Sequence, residues 1–105
     1  MKKALFLGVF LLLGTFVLFA QSKPVLTIVN NTGNTIYYIY ISESDNDDWE
    51  EDVLGDDQIL LPGESFNCHL PHTGTWDLLA EDENEDIYEL YEIRVRSGSN
   101  RVVLK

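Results

Sequence analysis

Short runs of β-branched and aromatic residues, separated by turn-forming residues, fill the chain from residue 25 to its C-terminus. No apolar stripe in this region recurs at the helical spacing of three and four residues. In Ser65 to Leu70 the apolar side chains alternate with polar ones, as they do in a half-buried strand whose successive residues point to opposite faces. The sequence therefore predicts an all-β fold.

The arrangement of these runs predicts how the strands connect. Turn signals recur about every ten residues, which favours a small antiparallel β-sandwich of six or seven strands. The runs Val25 to Asn30 and Thr35 to Ser42 are expected to form a hairpin. A second hairpin is predicted around the turn from Ser97 to Asn100, joining the last two strands.

Two irregularities are predicted within this pattern. The apolar phase slips by one residue between Leu90 and Tyr91, which indicates a β-bulge. One short helical turn is predicted near Trp49, because Trp49 and Val53 would share a face and Gly55 would end the turn.

Residues 1–20 have the composition of a secretory signal peptide. A basic start precedes an uncharged stretch from Ala4 to Ala20, and polar residues follow it. This order is typical of a cleaved export signal. We therefore expect one domain, residues 21–105, in an extracytoplasmic location, either periplasmic or secreted, with no membrane contact after cleavage. Retention of the segment as a membrane anchor is the alternative that the sequence leaves open.

The charge balance of the chain excludes two classes of partner. The chain has 18 acidic and 7 basic residues and a formal net charge of −11. An acidic surface repels nucleic acid and anionic lipid, and it favours cations or basic partners. The expected partner is therefore a protein or a glycan.

Two short motifs in the middle of the chain resemble a known group. They are W-E-E-D-V-L-G, from Trp49 to Gly55, and P-G-E-S, from Pro62 to Ser65. They are similar to the W-x-x-D-x-L-G and P-G-x-S pattern of small exported bacterial β-sandwich proteins of unassigned function. The resemblance implies a fold and an export route, and it implies no catalytic residue.

The loop from residue 43 to residue 57 concentrates carboxylates and is a candidate metal site. Calcium prefers several oxygen ligands, which extracellular loops can supply. The EF-hand pattern fails, because Glu50 stands where that loop requires glycine. A calcium site of another kind stays open, and its candidate ligands are Asp45, Asp47, Asp52, Asp56 and Asp57. The alternative is a solvated charged face.

Aromatic residues form a second candidate site. Tyr38 and Tyr40 lie on one side of the same predicted strand and, together with Trp49, could stack against a sugar ring. The alternative is that these rings make cross-strand contacts within the protein.

No pattern in the chain points to catalysis or to a cofactor. Cys68 and His69 are neighbours on a predicted strand, so their side chains point to opposite faces and cannot converge on one ligand. Ser65 lacks a nucleophile elbow, because Asn67 stands where the second glycine belongs. We therefore expect a non-catalytic module that is structural or binds a partner through its acidic loops. A calcium-dependent module and a glycan-binding module are the two alternatives.

Overall fold

A computed structural model describes residues 23–105, which form six β-strands in two three-stranded sheets. The strands are β1 (Val25–Asn30), β2 (Ile36–Glu43), β3 (Ser65–His69), β4 (Gly74–Asp82), β5 (Ile87–Val95) and β6 (Ser99–Leu104). The predicted all-β class is confirmed. The predicted signal peptide lies outside the described residues, and within them no helix is long and apolar enough to span a membrane.

The two sheets contribute to one buried cluster. Sheet A has the order β3-β1-β6, and sheet B has the order β2-β4-β5. All pairs of neighbouring strands are antiparallel except β1 and β6, which are parallel. Alternate residues of β1 and β4 enter the cluster, as the period of two requires. In β2 the spacing is three residues between Ile36 and Ile39, where the register shifts. The members of the cluster are Leu26, Ile28, Ile36, Ile39, Ile41, Leu54, Leu60, Cys68, Leu70, Trp76, Leu78, Ala80, Val95 and Leu104.

Both predicted terminal hairpins are wrong, because the chain crosses between the sheets at these turns. β1 and β6 belong to sheet A, whereas β2 and β5 belong to sheet B. After β1, the buried Asn30 side chain donates to the carbonyl oxygens of Asn34 and Leu60 at 2.7 and 2.9 Å. After β5, the Asn100 amide bonds both the N–H and the C=O of Arg96. These amide contacts stabilise the two crossings.

The predicted bulge is present, one residue further along the chain. Trp76 pairs with Ile93 and Leu78 pairs with Leu90, so one residue of β4 faces two residues of β5. The extra residue lets β5 return its apolar side chains to the cluster after the break in phase. Tyr91, which lies at the bulge, is exposed.

The predicted helical turn near Trp49 is wrong, since residues 23–105 contain no helix. Asp52 bonds elsewhere: its carboxylate accepts from the N–H of Ile39 at 2.8 Å and from the N–H of Leu54 at 3.1 Å. An isolated bridge also joins Leu60 to Ile36 of β2. One turn bond remains within the segment, from the N–H of Gly55 to the carbonyl oxygen of Asp52 at 3.3 Å, while the N–H of Val53 donates to the carbonyl oxygen of Ile39 in β2. The segment thereby covers the edge of β2.

A buried carboxylate connects the β4–β5 hairpin to the loop after β1. Asp82 is 2% exposed, and it accepts hydrogen bonds from the N–H groups of Asn84 and Asp86 and from the hydroxyl of Tyr88. The Asn34 amide donates to it at 3.3 Å. Burial alone would raise the pKa of Asp82, but these hydrogen bonds outweigh burial and lower it. The carboxylate is therefore held in its charged form.

Candidate functional site

The five aspartates predicted to bind calcium are spread along the loop between β2 and β3. Asp45, Asp47, Asp56 and Asp57 are exposed, whereas Asp52 is half-buried and bonded to backbone N–H groups. Among residues 23–105, no group of three or more His, Cys, Asp or Glu side chains is placed to hold a metal ion. This geometry does not support calcium binding, which stays a prediction.

The outer face of sheet B brings aromatic and acidic residues together. The register aligns Tyr38 of β2 with Glu81 of β4, and Glu81 with Ile87 of β5. The next row aligns Tyr40, Leu79 and Glu89 in the same way. We call this surface the aromatic–acidic face, and it comprises Tyr38, Tyr40, Leu79, Glu81, Ile87, Glu89 and Tyr91.

The tyrosine rings of this face form a stacked pair. The rings of Tyr38 and Tyr40 have centroids 6.3 Å apart and planes inclined by 14°. Tyr37, exposed because of a register shift beside Ile36, contacts Tyr38 edge-on. Trp49 is exposed but takes no part in the ring contacts found within residues 23–105. The structure therefore brings together two of the three aromatic residues predicted from the sequence.

Apolar side chains continue the face toward β5. The exposed fractions of Tyr38, Ile87 and Tyr91 are 42, 50 and 57%, which are high for side chains of this size. Leu79 lies between Tyr40 and Glu89 and is half-buried. Leu79 and Ile87 were not predicted as site residues, although the phase of β4 and of the first half of β5 directs both outward. The predicted bulge between Leu90 and Tyr91 would have turned Tyr91 inward, whereas the bulge one residue further on leaves Tyr91 exposed.

The carboxylates of the face have no cationic neighbour in the described part of the chain. The only oppositely charged pair there within 4.0 Å joins His72 and Glu43. Glu89 instead accepts the hydroxyl of Tyr91 at 2.7 Å, and this hydrogen bond raises the pKa of Tyr91. Burial, followed by the charges of Asp52 and Glu81, raises the pKa of Tyr40. The face thus combines phenol rings with carboxylates that form no ion pair with a Lys or Arg of residues 23–105.

A shallow cleft at the other end of sheet B contains a histidine–carboxylate pair. His72 Nε2 lies 2.9 Å from Glu43 Oε1, and Nδ1 lies 2.7 Å from the Thr73 carbonyl oxygen. The bond to Thr73 and then that to Glu43 raise the pKa of His72. Ser44 also lines the cleft, but its hydroxyl donates to Asp77 and not to His72. The cleft therefore lacks the nucleophile–base hydrogen bond that activates a serine.

Comparison with known proteins adds no relative. No protein-family model matches the chain, and neither the curated proteins nor the solved structures searched contain a match. The resemblance to small exported bacterial proteins stays a prediction. The candidate site therefore depends on the geometry of the aromatic–acidic face alone.

Proposed function

We propose that the protein is an exported, non-catalytic β-sandwich module that binds a positively charged partner protein through the aromatic–acidic face. The observation that carries this proposal is the stacked Tyr38–Tyr40 pair beside carboxylates that have no basic neighbour within residues 23–105. The contact surface differs from the acidic loops expected from the sequence. The strands of sheet B hold these side chains in a fixed arrangement, whereas the aspartates of the loop do not converge.

The other parts of the proposal have separate support. One buried cluster shared by two sheets supports a sandwich. The export of the domain is supported by the composition of residues 1–20.

The chemistry of the face favours Lys or Arg side chains. A cation over a tyrosine ring gains about 0.5–1 kcal/mol at an exposed site. An exposed ion pair with Glu81 or Glu89 adds about 0.2–1 kcal/mol. The aliphatic stems of the partner's Lys or Arg side chains can also cover the exposed carbons of Ile87 and Tyr91. A few such contacts give an affinity in about the millimolar to micromolar range, which weakens as salt rises.

A neutral glycan is the second candidate ligand. The exposed ring of Tyr38, which is nearly parallel to that of Tyr40, offers a surface on which a sugar ring can stack, and Glu81 opposite it can accept hydrogen bonds from sugar hydroxyls. Salt separates the two proposals, because it screens attraction between charges and has little effect on stacking of a neutral sugar.

The proposal is tested by calorimetric titration of the purified protein with an oligolysine peptide at low and high salt. The double variant Glu81→Gln/Glu89→Gln should weaken binding several-fold. The matched control Glu51→Gln/Asp57→Asn removes the same charge from exposed positions of the loop and should cost much less. If both double variants lost the same affinity for the peptide, net charge alone would explain the binding, and the proposal would be overturned. Binding of a neutral oligosaccharide that is insensitive to salt and is lost in Tyr38→Ala would favour the glycan.

A further inference from the structure

The two edges of sheet B differ in their cover. At the β2 edge, residues 52 and 60 form bridges to Tyr40 and Ile36. β5 forms the opposite edge, and within residues 23–105 no strand pairs with its outer side. An uncovered edge presents backbone N–H and C=O groups that can pair with another extended chain.

The hairpin turn determines which backbone groups of β5 are unpaired. The N–H of Asp82 donates to the carbonyl oxygen of Asp86 at 3.0 Å, so the ladder starts with a hydrogen-bonded pair. Bonded and non-bonded pairs alternate along an antiparallel ladder, and the next bonded residue of β5 is Tyr88. Ile87 and Glu89 therefore direct their N–H and C=O groups to the open side. Any chain that docks there can form hydrogen bonds with them.

A groove between β5 and β6 would receive alternate side chains of a chain added at this edge. The groove is lined by Tyr88, Glu89, Leu90, Val103, Leu104 and Lys105. Tyr88, Leu90 and Val103 are half-buried and line the groove with apolar atoms, whereas Lys105 disfavours a positive charge there. Apolar side chains therefore suit this side of an added strand.

The other side of an added strand would lie beside the outer face of sheet B. There it would meet Ile87, Glu89 and Tyr91, and Glu89 has no Lys or Arg within 4.0 Å among residues 23–105. Basic side chains suit these positions, because a charge directly opposite on a neighbouring strand stabilises the pair when its sign is opposite. The two sides of the edge thus select for two kinds of residue.

We propose that β5 docks an extended segment of the partner in which apolar and basic residues alternate, and that this segment extends sheet B as a further strand. The inference rests on the proposed function and specifies how the partner binds. Main-chain hydrogen bonds contribute affinity, and the alternating side chains contribute specificity. The bulge next to Tyr91 limits the docking site to the first half of β5.

A second copy of this chain fits the edge poorly. The chain has a net charge of −11, so two copies repel each other. Glu89 and Glu92 also place negative charge on the edge itself, as edge strands that avoid self-association commonly do. The charge of the edge therefore favours a basic segment of another protein.

The probe for this proposal is a short synthetic peptide in which valine and lysine alternate, titrated into the purified protein by calorimetry. Two versions carry backbone N-methyl groups, one on the valines and the other on the lysines. Only one set of amides can face β5, so one version should lose about tenfold or more in affinity while the other keeps most of it. A peptide of the same composition with valines and lysines in separate blocks should bind as weakly as the blocked version.

The matched protein variants are Glu89→Pro and Glu89→Gln. Proline removes the open-side N–H without removing a bond of the β4–β5 ladder, so it should weaken binding about tenfold beyond glutamine. Thermal melts show whether the proline variant folds, and the N-methylated peptides decide the question if it does not. Edge docking would be overturned if both N-methylated peptides bound equally well. The proposed function would still stand in that case if Glu81→Gln/Glu89→Gln weakened peptide binding as expected. If no cationic peptide bound the protein, both the proposed function and edge docking would be overturned. If the protein formed a homodimer that Glu89→Pro dissociated, the edge would bind a second copy of the chain and not a basic segment of another protein.

Discussion

Replacement of Asn30 should reveal how strongly one buried amide stabilises the fold. Asn30 is 0% exposed and lies where the chain leaves sheet A. Its Nδ2 donates to Asn34 and Leu60 carbonyl oxygens, and its Oδ1 accepts the N–H and the hydroxyl of Thr32 at 3.0 and 2.7 Å. Four hydrogen bonds at about 1 kcal/mol each would give about 4 kcal/mol. The expected loss is smaller, because three of the four partner groups keep another bond.

The alternative bonds set the size of the effect. The Leu60 carbonyl oxygen also accepts the N–H of Ile36, and the Asn34 carbonyl oxygen also accepts the Thr32 hydroxyl. In Asn30→Ala the uncompensated loss is therefore the N–H of Thr32 together with a small cavity. We expect the free energy of unfolding to fall by about 2–3 kcal/mol. For a domain of this size, the Tm should fall by about 10–20 °C.

Urea denaturation of the wild type and the variant measures this difference. The control is Asn31→Ala, which changes the same side chain at the adjacent exposed position and should alter stability by at most about 0.5 kcal/mol. A loss below about 1 kcal/mol in Asn30→Ala would refute the reasoning, because the buried amide would then be replaceable at little cost.

Three further predictions concern charge. Hydrogen bonds lower the pKa of Asp82, so its contribution to stability is present above the pKa of the unfolded chain and is lost as pH falls through the folded value. The difference in Tm between the wild type and Asp82→Asn should therefore shrink in acid, and a constant difference would contradict this. The raised pKa of His72 means that its contribution to stability is fully present below the pKa of the unfolded histidine and is lost as pH rises through the folded value. Glu43→Gln should lower the His72 midpoint in an NMR titration, and an unchanged midpoint would exclude Glu43 as a cause. Millimolar calcium and then chelator should leave the Tm unchanged, since residues 23–105 hold no convergent ligand set, whereas a rise would indicate a site.

Local patterns in the sequence determined the strands and much of the core. Alternation placed Phe66, Cys68 and Leu70 on one side, and the structure buries Cys68 and Leu70 with Phe66 packed against them. A one-residue slip in phase was enough to predict the bulge in β5. These features could be predicted because burial of one face imposes a period of two on any strand, whatever its neighbours are.

Local patterns did not determine the partners of the strands. Alternation is the same in a hairpin and in two strands that lie in different sheets, so it predicted the hairpins β1–β2 and β5–β6 that do not form. The helical turn near Trp49 was also wrong, because Asp52 bonds the N–H of Ile39. Contacts between residues distant in sequence decided both cases.

The sequence and the tertiary structure each determined one part of the candidate site. The sequence by itself placed Tyr38 and Tyr40 on one side of a strand, since both belong to the same run. Only the tertiary structure aligned them with residues of β4 and β5, such as Glu81 and Glu89, and left the edge of β5 open. Register and strand order depend on how the whole chain buries its apolar side chains together, and no single segment contains that information.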